Sequence, residues 1–334
     1  MIDLHVHLSG SLKLETIISY AKERNISLPT YDIKELEAYL QDTGSESKIE
    51  SFYKLCRMTD WVLKERRTLR RAMKELVQEL DEQGIIYAEI RIAPAESAIG
   101  NLRQKDVIDA ALEGMEWGMK ESKNIRTNLI LCIIPDMDVH EIYETIVEAK
   151  QRLHKGVCGL DLLMKEDLCK TDYYDWMFEI IRDEHIPFTV HSGQYNVQSV
   201  RKAIQYGAER ISQSIHILDD DELLDEIIRK KILVEICPAS NLKLGVVESY
   251  SQHPIRKLYD KGVRVCLGSD RLRISGSSLR NEYDNLKKYL GFTDVDIYHM
   301  NQNAINGAFL SRMDKDRLQF KLYELNKEIV DKEQ

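Results

Sequence analysis

The chain has 334 residues, of which 43% are hydrophobic, and a formal net charge of −9. This length supports one large core or two ordinary ones, and the acidic balance argues against a protein that binds nucleic acid or an anionic membrane surface. No stretch approaches the roughly 18 uncharged apolar residues of a membrane-spanning helix, so we expect no membrane span.

The six cysteines are widely spread and form no CxxC pair. Apolar surroundings such as those of Cys132 and Cys266 indicate small buried side chains in a reducing compartment. The start of the chain shows no basic and apolar leader pattern. We therefore expect a cytoplasmic protein.

Short apolar runs rich in β-branched residues recur along the chain, and charged segments with helical spacing separate them. Among the helix candidates, 104–122 and 139–155 have apolar residues three and four positions apart, and 219–231 begins with acids and ends with bases. The strand candidates are 2–7, 85–92, 128–134, 157–163, 187–191, 209–217, 232–237 and 263–269.

Eight strand candidates that alternate with helices predict an α/β protein with a parallel sheet. The sheet is either closed as a (β/α)8 TIM-type barrel or open and doubly wound. A barrel needs roughly 250 residues, and the surplus is placed as a helical insertion after strand 1, at 9–84, and as C-terminal helices at 280–334. No repeat or linker interrupts the chain, so we expect a single domain over 1–334.

Four side chains at the ends of strand candidates suggest a metal site. His5 and His7 are two positions apart on the first candidate, so both point to one face near its C-terminal end. His191 ends the fifth candidate and Asp270 follows the eighth. Three imidazoles and one carboxylate, with one position left for water, suit Zn²⁺. The alternative is that His191 packs in the core and Asp270 is an ordinary loop carboxylate.

Six motifs in one order carry a family resemblance. They are HVHLSGSL (5–12), EIRIAP (89–94), TVHSG (189–193), EICPASN (235–241), HPIRKLYDKGVRV (253–265) and LGSD (267–270). With these motifs the chain resembles the adenosine deaminase family of the amidohydrolase superfamily. The resemblance implies a (β/α)8 barrel and hydrolytic deamination of an adenine-type nucleoside or nucleotide. It also implies one divalent metal ion, Zn²⁺ before others, held by His5, His7, His191 and Asp270.

Glutamines occupy the two catalytic positions at which the resembled family carries proton-handling side chains. The family's glutamate after the histidine-glycine stretch, which donates a proton to the purine ring, is Gln194 here. The histidine of the sixth strand, which orients the metal-bound water, is Gln213. A carboxamide donates a hydrogen bond but delivers no proton near neutral pH. His216, three residues on, should face the other side of that strand.

The substrate-contacting positions also depart from the family pattern. The second aspartate after the eighth strand is Arg271, and the aspartate that commonly touches ribose is Ser9. The Gly-Asp-Glu loop near the fourth strand is replaced by Met164, Lys165 and Glu166. Together with the two glutamines, these changes predict that ordinary adenosine deamination is weak or absent.

Two interpretations of the whole pattern follow. In the first, the chain is a metal-dependent hydrolase in which Asp270 is both ligand and proton acceptor. Arg271, with Ser9 in place of a repelling carboxylate, then receives a phosphorylated or carboxylated purine nucleoside analogue. Alternatively, Arg271 makes a structural ion pair with Glu235 or Glu282. In the second interpretation, the chain is a catalytically silent metal-binding pseudoenzyme that binds a nucleoside-like ligand or a partner protein.

Two further parts of the sequence resemble the family. The segment 50–63 resembles the family's substrate-lid helix, and its apolar residues either line a pocket or belong to the core; they are Phe52, Leu55 and Trp61. Asn241 and His253 resemble family positions that we interpret as structural support. The sequence leaves the oligomeric state open.

Overall fold

A parallel sheet of eight strands forms the centre of the computed structural model, which describes residues 1–42, 48–134, 137–163, 174–194 and 197–331. The strands pair in chain order, each parallel to the next. They are β1 (Ile2–His7), β2 (Tyr87–Ile92), β3 (Arg126–Ile133), β4 (Val157–Leu163), β5 (Phe188–His191), β6 (Arg210–Ser212), β7 (Leu233–Ile236) and β8 (Arg264–Leu267).

The sheet closes on itself between its first and last strands. Val6 in β1 forms a parallel bridge with Asp270, just beyond β8. The amide of His7 donates to the carbonyl of Asp270, and the amide of Asp270 donates to the carbonyl of His5, both at 2.8 Å. The expected TIM-type barrel is therefore confirmed, and the open doubly wound sheet is excluded.

Helices connect the strands and add the surplus that the sequence predicts. The helices within residues 14–82 form the insertion after β1, and those within residues 279–330 form the C-terminal segment. In the described residues the helices are α1 (Leu14–Arg24), α2 (Ile33–Gln41), α3 (Lys48–Asp60), α4 (Arg66–Glu82), α5 (Pro94–Ser97), α6 (Gln104–Glu121), α7 (Val139–Arg152), α8 (Asp175–Asp183), α9 (Gln198–Gln205), α10 (Asp221–Lys230), α11 (Pro238–Lys243), α12 (Ile255–Asp260), α13 (Leu272–Ser275), α14 (Leu279–Leu290), α15 (Asp294–Gly307) and α16 (Arg312–Val330).

β6 is much shorter than the predicted strand at 209–217. It ends at Ser212, and Gln213 has a φ of 68°, outside the β region. A 3₁₀ turn then runs over His216–Asp219. The predicted alternation of faces beyond Ser212 is therefore wrong, because the backbone is no longer extended there.

The lid-like segment contributes to the core. Phe52 and Leu55 in α3 are both buried and belong to the main hydrophobic cluster, whereas Trp61 is half-buried and its ring lies tilted against that of Tyr20, with 5.3 Å between the centroids. Of the two alternatives, core packing therefore describes Phe52 and Leu55.

The structure bears on two expectations from the sequence, the lack of a membrane span and the burial of the cysteines. Among the described helices, none combines the length and the apolar character that crossing a bilayer requires. The cysteines in the described ranges, all but Cys169, are buried and carry free thiols.

Glu282 in α14 is a buried acid that supports the loop after β7. One of its oxygens accepts a hydrogen bond from the amide of Ala239 at 3.1 Å, and the other accepts from the Tyr250 hydroxyl at 3.0 Å. Burial raises the pKa of Glu282 to about 7, in spite of these hydrogen bonds, which act in the opposite direction.

Glu282 should make folding stability fall as pH rises. Its folded-state pKa of about 7 lies above the ordinary 4.5, so between these values the folded chain keeps a proton that the unfolded chain releases. Glu282→Gln imitates the protonated acid and should remove this loss, which is on the order of 3 kcal/mol above pH 7. Urea unfolding at pH 5 and pH 8 measures the difference between parent and variant.

The exposed Glu248→Gln serves as the matched control, since it removes a carboxylate that is in contact with solvent. Parallel pH dependences of the unfolding free energy in the parent chain and in Glu282→Gln would contradict the buried, protonated state of Glu282.

Candidate metal centre and active site

Three imidazoles and one carboxylate converge at the C-terminal end of the barrel. The ring nitrogens of His5, His7 and His191 that face one another lie within 4.8 Å. Asp270 Oδ1 is 3.9 Å from His5 Nε2 and 3.7 Å from His7 Nε2. His5, His7 and Asp270 are buried, and His191 is partly buried. The structure thus brings together all four side chains that the sequence singles out as ligands.

Carboxylates behind two of the rings fix their tautomers. His5 Nδ1 lies 2.9 Å from Glu235 Oε2, and His191 Nδ1 lies 2.9 Å from Asp161 Oδ1. An ionised carboxylate only accepts hydrogen bonds, so each Nδ1 carries the proton and donates it. In the neutral form of each ring, Nε2 is consequently without a proton and free to bind a cation.

The facing Nε2 atoms of His5 and His191 are 3.2 Å apart. Two unprotonated ring nitrogens at this separation point lone pairs at each other, which is unfavourable unless a cation lies between them. Burial above all keeps both β1 rings neutral, lowering the pKa of His5 to about 4 and that of His7 well below its usual range. The donor set therefore fits a divalent metal, and three imidazoles with one carboxylate suit Zn²⁺.

Arg91, in β2, holds both of the supporting carboxylates. Its Nε lies 2.7 Å from Asp161 Oδ2 and its Nη2 lies 2.6 Å from Glu235 Oε2. Arg210 adds a contact of 2.7 Å to Glu235 Oε1 and pairs with Glu89. None of these side chains is exposed. Burial alone would raise the pKa of Glu235, but Arg210 and Arg91 outweigh it and hold that pKa well below the usual range.

Two site residues have left-handed backbone conformations. Gln213 directly follows β6, and Asp270 lies just beyond the end of β8. Asp270 has a φ of 56° and Gln213 a φ of 68°, values that non-glycine residues seldom adopt and that cluster at functional sites. Gly268 allows the approach of β8 to β1, because a Cβ there would lie 2.4 Å from the Cβ of His5.

A chain of hydrogen bonds fixes the orientation of the Gln213 carboxamide. His253 Nδ1 accepts from the amide of Ile255 at 3.2 Å, so its proton is on Nε2, which donates to Asn241 Oδ1 at 3.1 Å. Burial lowers the pKa of His253 to about 4 and keeps the ring neutral. Asn241 Nδ2 then donates to Gln213 Oε1 at 3.0 Å. The oxygen of Gln213 is therefore engaged, and its NH₂ group alone is left for a ligand.

His216 does not replace the missing histidine of β6. Its side chain is 38% exposed and its Nδ1 lies 2.9 Å from Asp219 Oδ2, within the 3₁₀ turn. The expectation that His216 points away is met, but through the turn of the backbone rather than through strand alternation.

Gln194 lies three residues beyond His191 and has a half-buried side chain. Its Nε2 is buried and finds no hydrogen-bond partner among the residues that the structure describes. A buried donor without a partner is costly, so this group is available to a ligand acceptor atom.

Arg271 is in contact with Ser9, and acidic side chains lie near both residues. Arg271 Nη1 donates to the carbonyl of Ser9 at 2.8 Å, and the Ser9 hydroxyl donates to Asp60 at the end of α3. Burial first of all raises the pKa of Asp60 and that of Glu96, while the Arg271 charge acts against both shifts. Ser9 stands where the family commonly has an aspartate, but the carboxylate of Asp60 beside it compensates for the missing negative charge.

Neither partner that the sequence suggested for Arg271 is correct. Glu235 pairs with Arg91 and Arg210 instead, and Glu282 accepts hydrogen bonds from Ala239 and Tyr250. Within the described ranges, the carboxylate nearest to the guanidinium is that of Asp270, at 3.9 Å from Nε. Met164, the remaining predicted substrate residue, lies outside the described residues, as do Lys165 and Glu166.

Sequence reasoning missed the supporting residues Arg91, Asp161 and Asp60. Arg91 and Asp161 both lie inside strand candidates, and the signal for them is a charge in the middle of an otherwise apolar run. A charge with no exposed face must be paired inside the barrel. Asp60 gave no comparable signal, because it ends a helix of the insertion.

A sequence model of the adenosine deaminase family matches residues 1–325. The chain belongs to the adenosine deaminase family. Its relatives include the adenosine deaminase of Haemophilus ducreyi, 32% identical over 323 residues that cover 95% of this chain and 94% of that protein. The adenosine deaminase of Clostridium acetobutylicum is 30% identical over 324 residues, 96% of each chain.

Solved structures share the fold at lower identity. The adenine deaminase of Arthrobacter aurescens superposes with a TM-score of 0.87 at 21% identity, covering 98% of both chains. Arabidopsis ADAL, solved with GMP, gives a TM-score of 0.85 at 21% identity over 97% of this chain and 96% of that one. A Burkholderia ambifaria amidohydrolase with bound Zn gives 0.87 at 19% identity, over 99% and 91%. These likenesses establish the barrel fold for this adenosine deaminase family member.

Arg91→Met should destabilise the protein strongly. Removing one partner leaves Asp161 and Glu235 buried with less compensating charge, which lowers the unfolding free energy by about 3–5 kcal/mol. Zinc affinity should fall as well, because these carboxylates orient two ligand rings. Urea unfolding and zinc titration measure the two effects.

Arg67→Met is the matched control, since Arg67 forms an exposed ion pair with Glu23 and should leave both properties essentially unchanged. If Arg91→Met unfolded at the same urea concentration as the parent and bound zinc equally well, the proposed support of the ligand rings would be wrong.

Asn241→Asp should reverse the amide of Gln213 while the metal ligands stay in place. An aspartate offers only oxygens, so Gln213 would turn its NH₂ group toward position 241 and its oxygen toward the ligand. We expect one equivalent of zinc to remain and the affinity for purine riboside to fall roughly tenfold. Calorimetric titration with metal analysis tests this, with Asn281→Asp on the exposed face of α14 as control. Unchanged affinity would show that Gln213 does not contact the ligand.

Proposed function

We propose that this chain is a zinc-dependent aminohydrolase of an adenine-type compound that deaminates ordinary adenosine weakly. One observation carries the proposal. The rings of His5, His7 and His191 converge with Asp270 beside the first two, and carboxylates hold the rings of His5 and His191 from behind. Gln194, which cannot supply a proton, occupies the acid position of the family. The first feature supports metal-assisted hydrolysis, and the second argues against the family's usual protonation of the ring.

The chemistry divides between the metal and the surrounding side chains. When bound, zinc would supply a water whose pKa is lowered to about 7. Asp270 has two carboxylate oxygens, so it would hold the metal with one and accept the proton of the attacking water with the other. It would then return that proton to the amino group, which leaves as ammonia when the C–N bond breaks. Gln194 Nε2 donates a hydrogen bond to an acceptor atom of the ring, and the Gln213 NH₂ group donates to an oxygen of the reacting centre. Neither glutamine transfers a proton.

The preferred ligand is a purine that carries a phosphate or a carboxylate. Arg271 provides a planar fork suited to such a group. Asp60 and Glu96 share its surroundings, so only an anion in direct contact with the guanidinium would gain from it. Among the solved structures of similar fold are complexes of Arabidopsis ADAL with GMP and IMP, which supports including nucleotides among the candidates.

A panel of deamination assays tests the proposal. Ultraviolet absorbance follows zinc-loaded protein with adenine, adenosine, AMP and N6-methyl-AMP, and a chelator-stripped sample runs in parallel. The proposal predicts zinc-dependent turnover of at least one compound, with adenosine slower by a factor of about 10² or more than in a relative that has the acid. Rapid turnover of adenosine would contradict it.

The second candidate function is that of a metal-stabilised protein that binds a nucleoside-like ligand or a partner protein without chemistry. The observation that favours it is that both proton-handling positions are carboxamides and that Gln213 is held as a donor. Absence of turnover with every compound of the panel, at a full equivalent of zinc, would select this candidate over the hydrolase.

Gln194→Glu should restore the general acid. We expect the rate of adenosine deamination to rise by about 10²–10⁴-fold, measured by absorbance on protein with one equivalent of zinc. The control is Gln205→Glu at the exposed C-terminal end of α9, which adds the same charge away from the candidate site. If Gln194→Glu were as slow as the parent, the missing acid would not be what limits adenosine turnover.

A further inference from the structure

A cavity lies at the amino-terminal end of the barrel, opposite the candidate metal ligands. Its volume is about 490 Å³, within the range of small-molecule sites. It lies between the starts of β2 and β3, the second half of α6, and α16. We call it the basal cavity and define it by Tyr87, Thr127, Met119 and Leu318.

The walls of the basal cavity are largely apolar and adaptable. The ring of Tyr87, the thioethers of Met115 and Met119, and the side chains of Leu310 and Leu318 form them. Methionine sulfur makes favourable contacts with aromatic rings and fits varied shapes. Such walls suit a flat aromatic body.

Thr127 supplies a polar group without a partner. Its side chain is only 4% exposed, and its Oγ1 makes no hydrogen bond to any residue that the structure describes. An unsatisfied buried hydroxyl destabilises the protein. A ligand acceptor atom in the basal cavity would relieve this.

The rim of the basal cavity is positive, although the chain as a whole is acidic. Arg126, Arg317 and Lys321 line it, with Asp314 as the single lining acid. Asp314 lies 3.6 Å from Arg317, and Arg126 has no ion-pair partner in the described ranges. Lys321 Nζ donates to the carbonyl of Asn124 at 2.8 Å. The uncompensated charge favours an anion.

We propose that the basal cavity binds a small aromatic anion, a ring that carries a carboxylate or a phosphate. The ring packs among the methionines and leucines, an acceptor atom of the ligand meets the Thr127 hydroxyl, and the anionic group contacts Arg126. This site is independent of the metal centre and of the deaminase proposal.

The probe is 1-anilino-8-naphthalenesulfonate, whose sulfonate stands in for a carboxylate or phosphate on an aromatic body. Fluorescence titration of the full chain, zinc-loaded and zinc-stripped, should give one saturable site of equal affinity in both samples. Affinity that depends on zinc would place the probe at the metal centre and overturn the proposal, whatever the outcome of the deamination assays.

Three variants locate the probe. Arg126→Glu should weaken binding by about tenfold or more, and Leu310→Trp should abolish it by filling the basal cavity from a partly buried wall position. Thr127→Val should weaken binding roughly fivefold and yet raise the melting temperature, because it removes an unpaired buried hydroxyl. Arg229→Glu, at an exposed position on α10, is the charge control.

Equal binding in the parent, Arg126→Glu and Thr127→Val would overturn the proposal, and circular dichroism verifies the fold of each variant. Competition then distinguishes the two sources of the anion. Displacement of the probe by AMP identifies a phosphate ligand, and displacement by salicylate identifies a carboxylate ligand. Displacement by neither contradicts the proposal.

Discussion

The contact of one buried arginine with two carboxylates underlies the arrangement of the site. Arg91 forms ion pairs with Asp161 and Glu235, which hold the rings of His191 and His5 in the tautomer that leaves Nε2 bare. All of these groups lie inside the barrel, where a charge is stable only when it is paired. The ligands are thus oriented by a network that is also part of the core, so the geometry of the metal centre and the stability of the fold are coupled.

Gln213 and Gln194 lie outside this network, and hydrogen bonding rather than ion pairing decides what each of them offers a ligand. The carbonyl oxygen of Gln213 is engaged by Asn241, and the amide nitrogen of Gln194 is buried without a described partner. Both glutamines consequently offer N–H donors where the family has groups that move protons. A site of this kind can bind acceptor atoms and polarise them, and the proposed hydrolysis therefore assigns proton transfer to Asp270.

The barrel and the convergence of the four candidate ligands were predictable, because strand-end positions and a two-residue spacing determine where His5, His7, His191 and Asp270 point. The length of β6 was not, since the left-handed backbone at Gln213 follows from its surroundings rather than from the apolar pattern. The acidic surroundings of Arg271 were not predictable from the sequence either. Asp60 comes from the helical insertion, and no sequence periodicity reports a contact between separate parts of the chain.

Zinc analysis combined with X-ray absorption at the zinc edge tests the metal centre most directly. After exposure to zinc and exhaustive dialysis, the protein should keep about one equivalent, bound by three imidazoles and by oxygen ligands. His191→Ala should lose it. Retention of far less than one equivalent by the parent chain, or a zinc shell without imidazole, would contradict the account and remove the basis for the proposed hydrolysis.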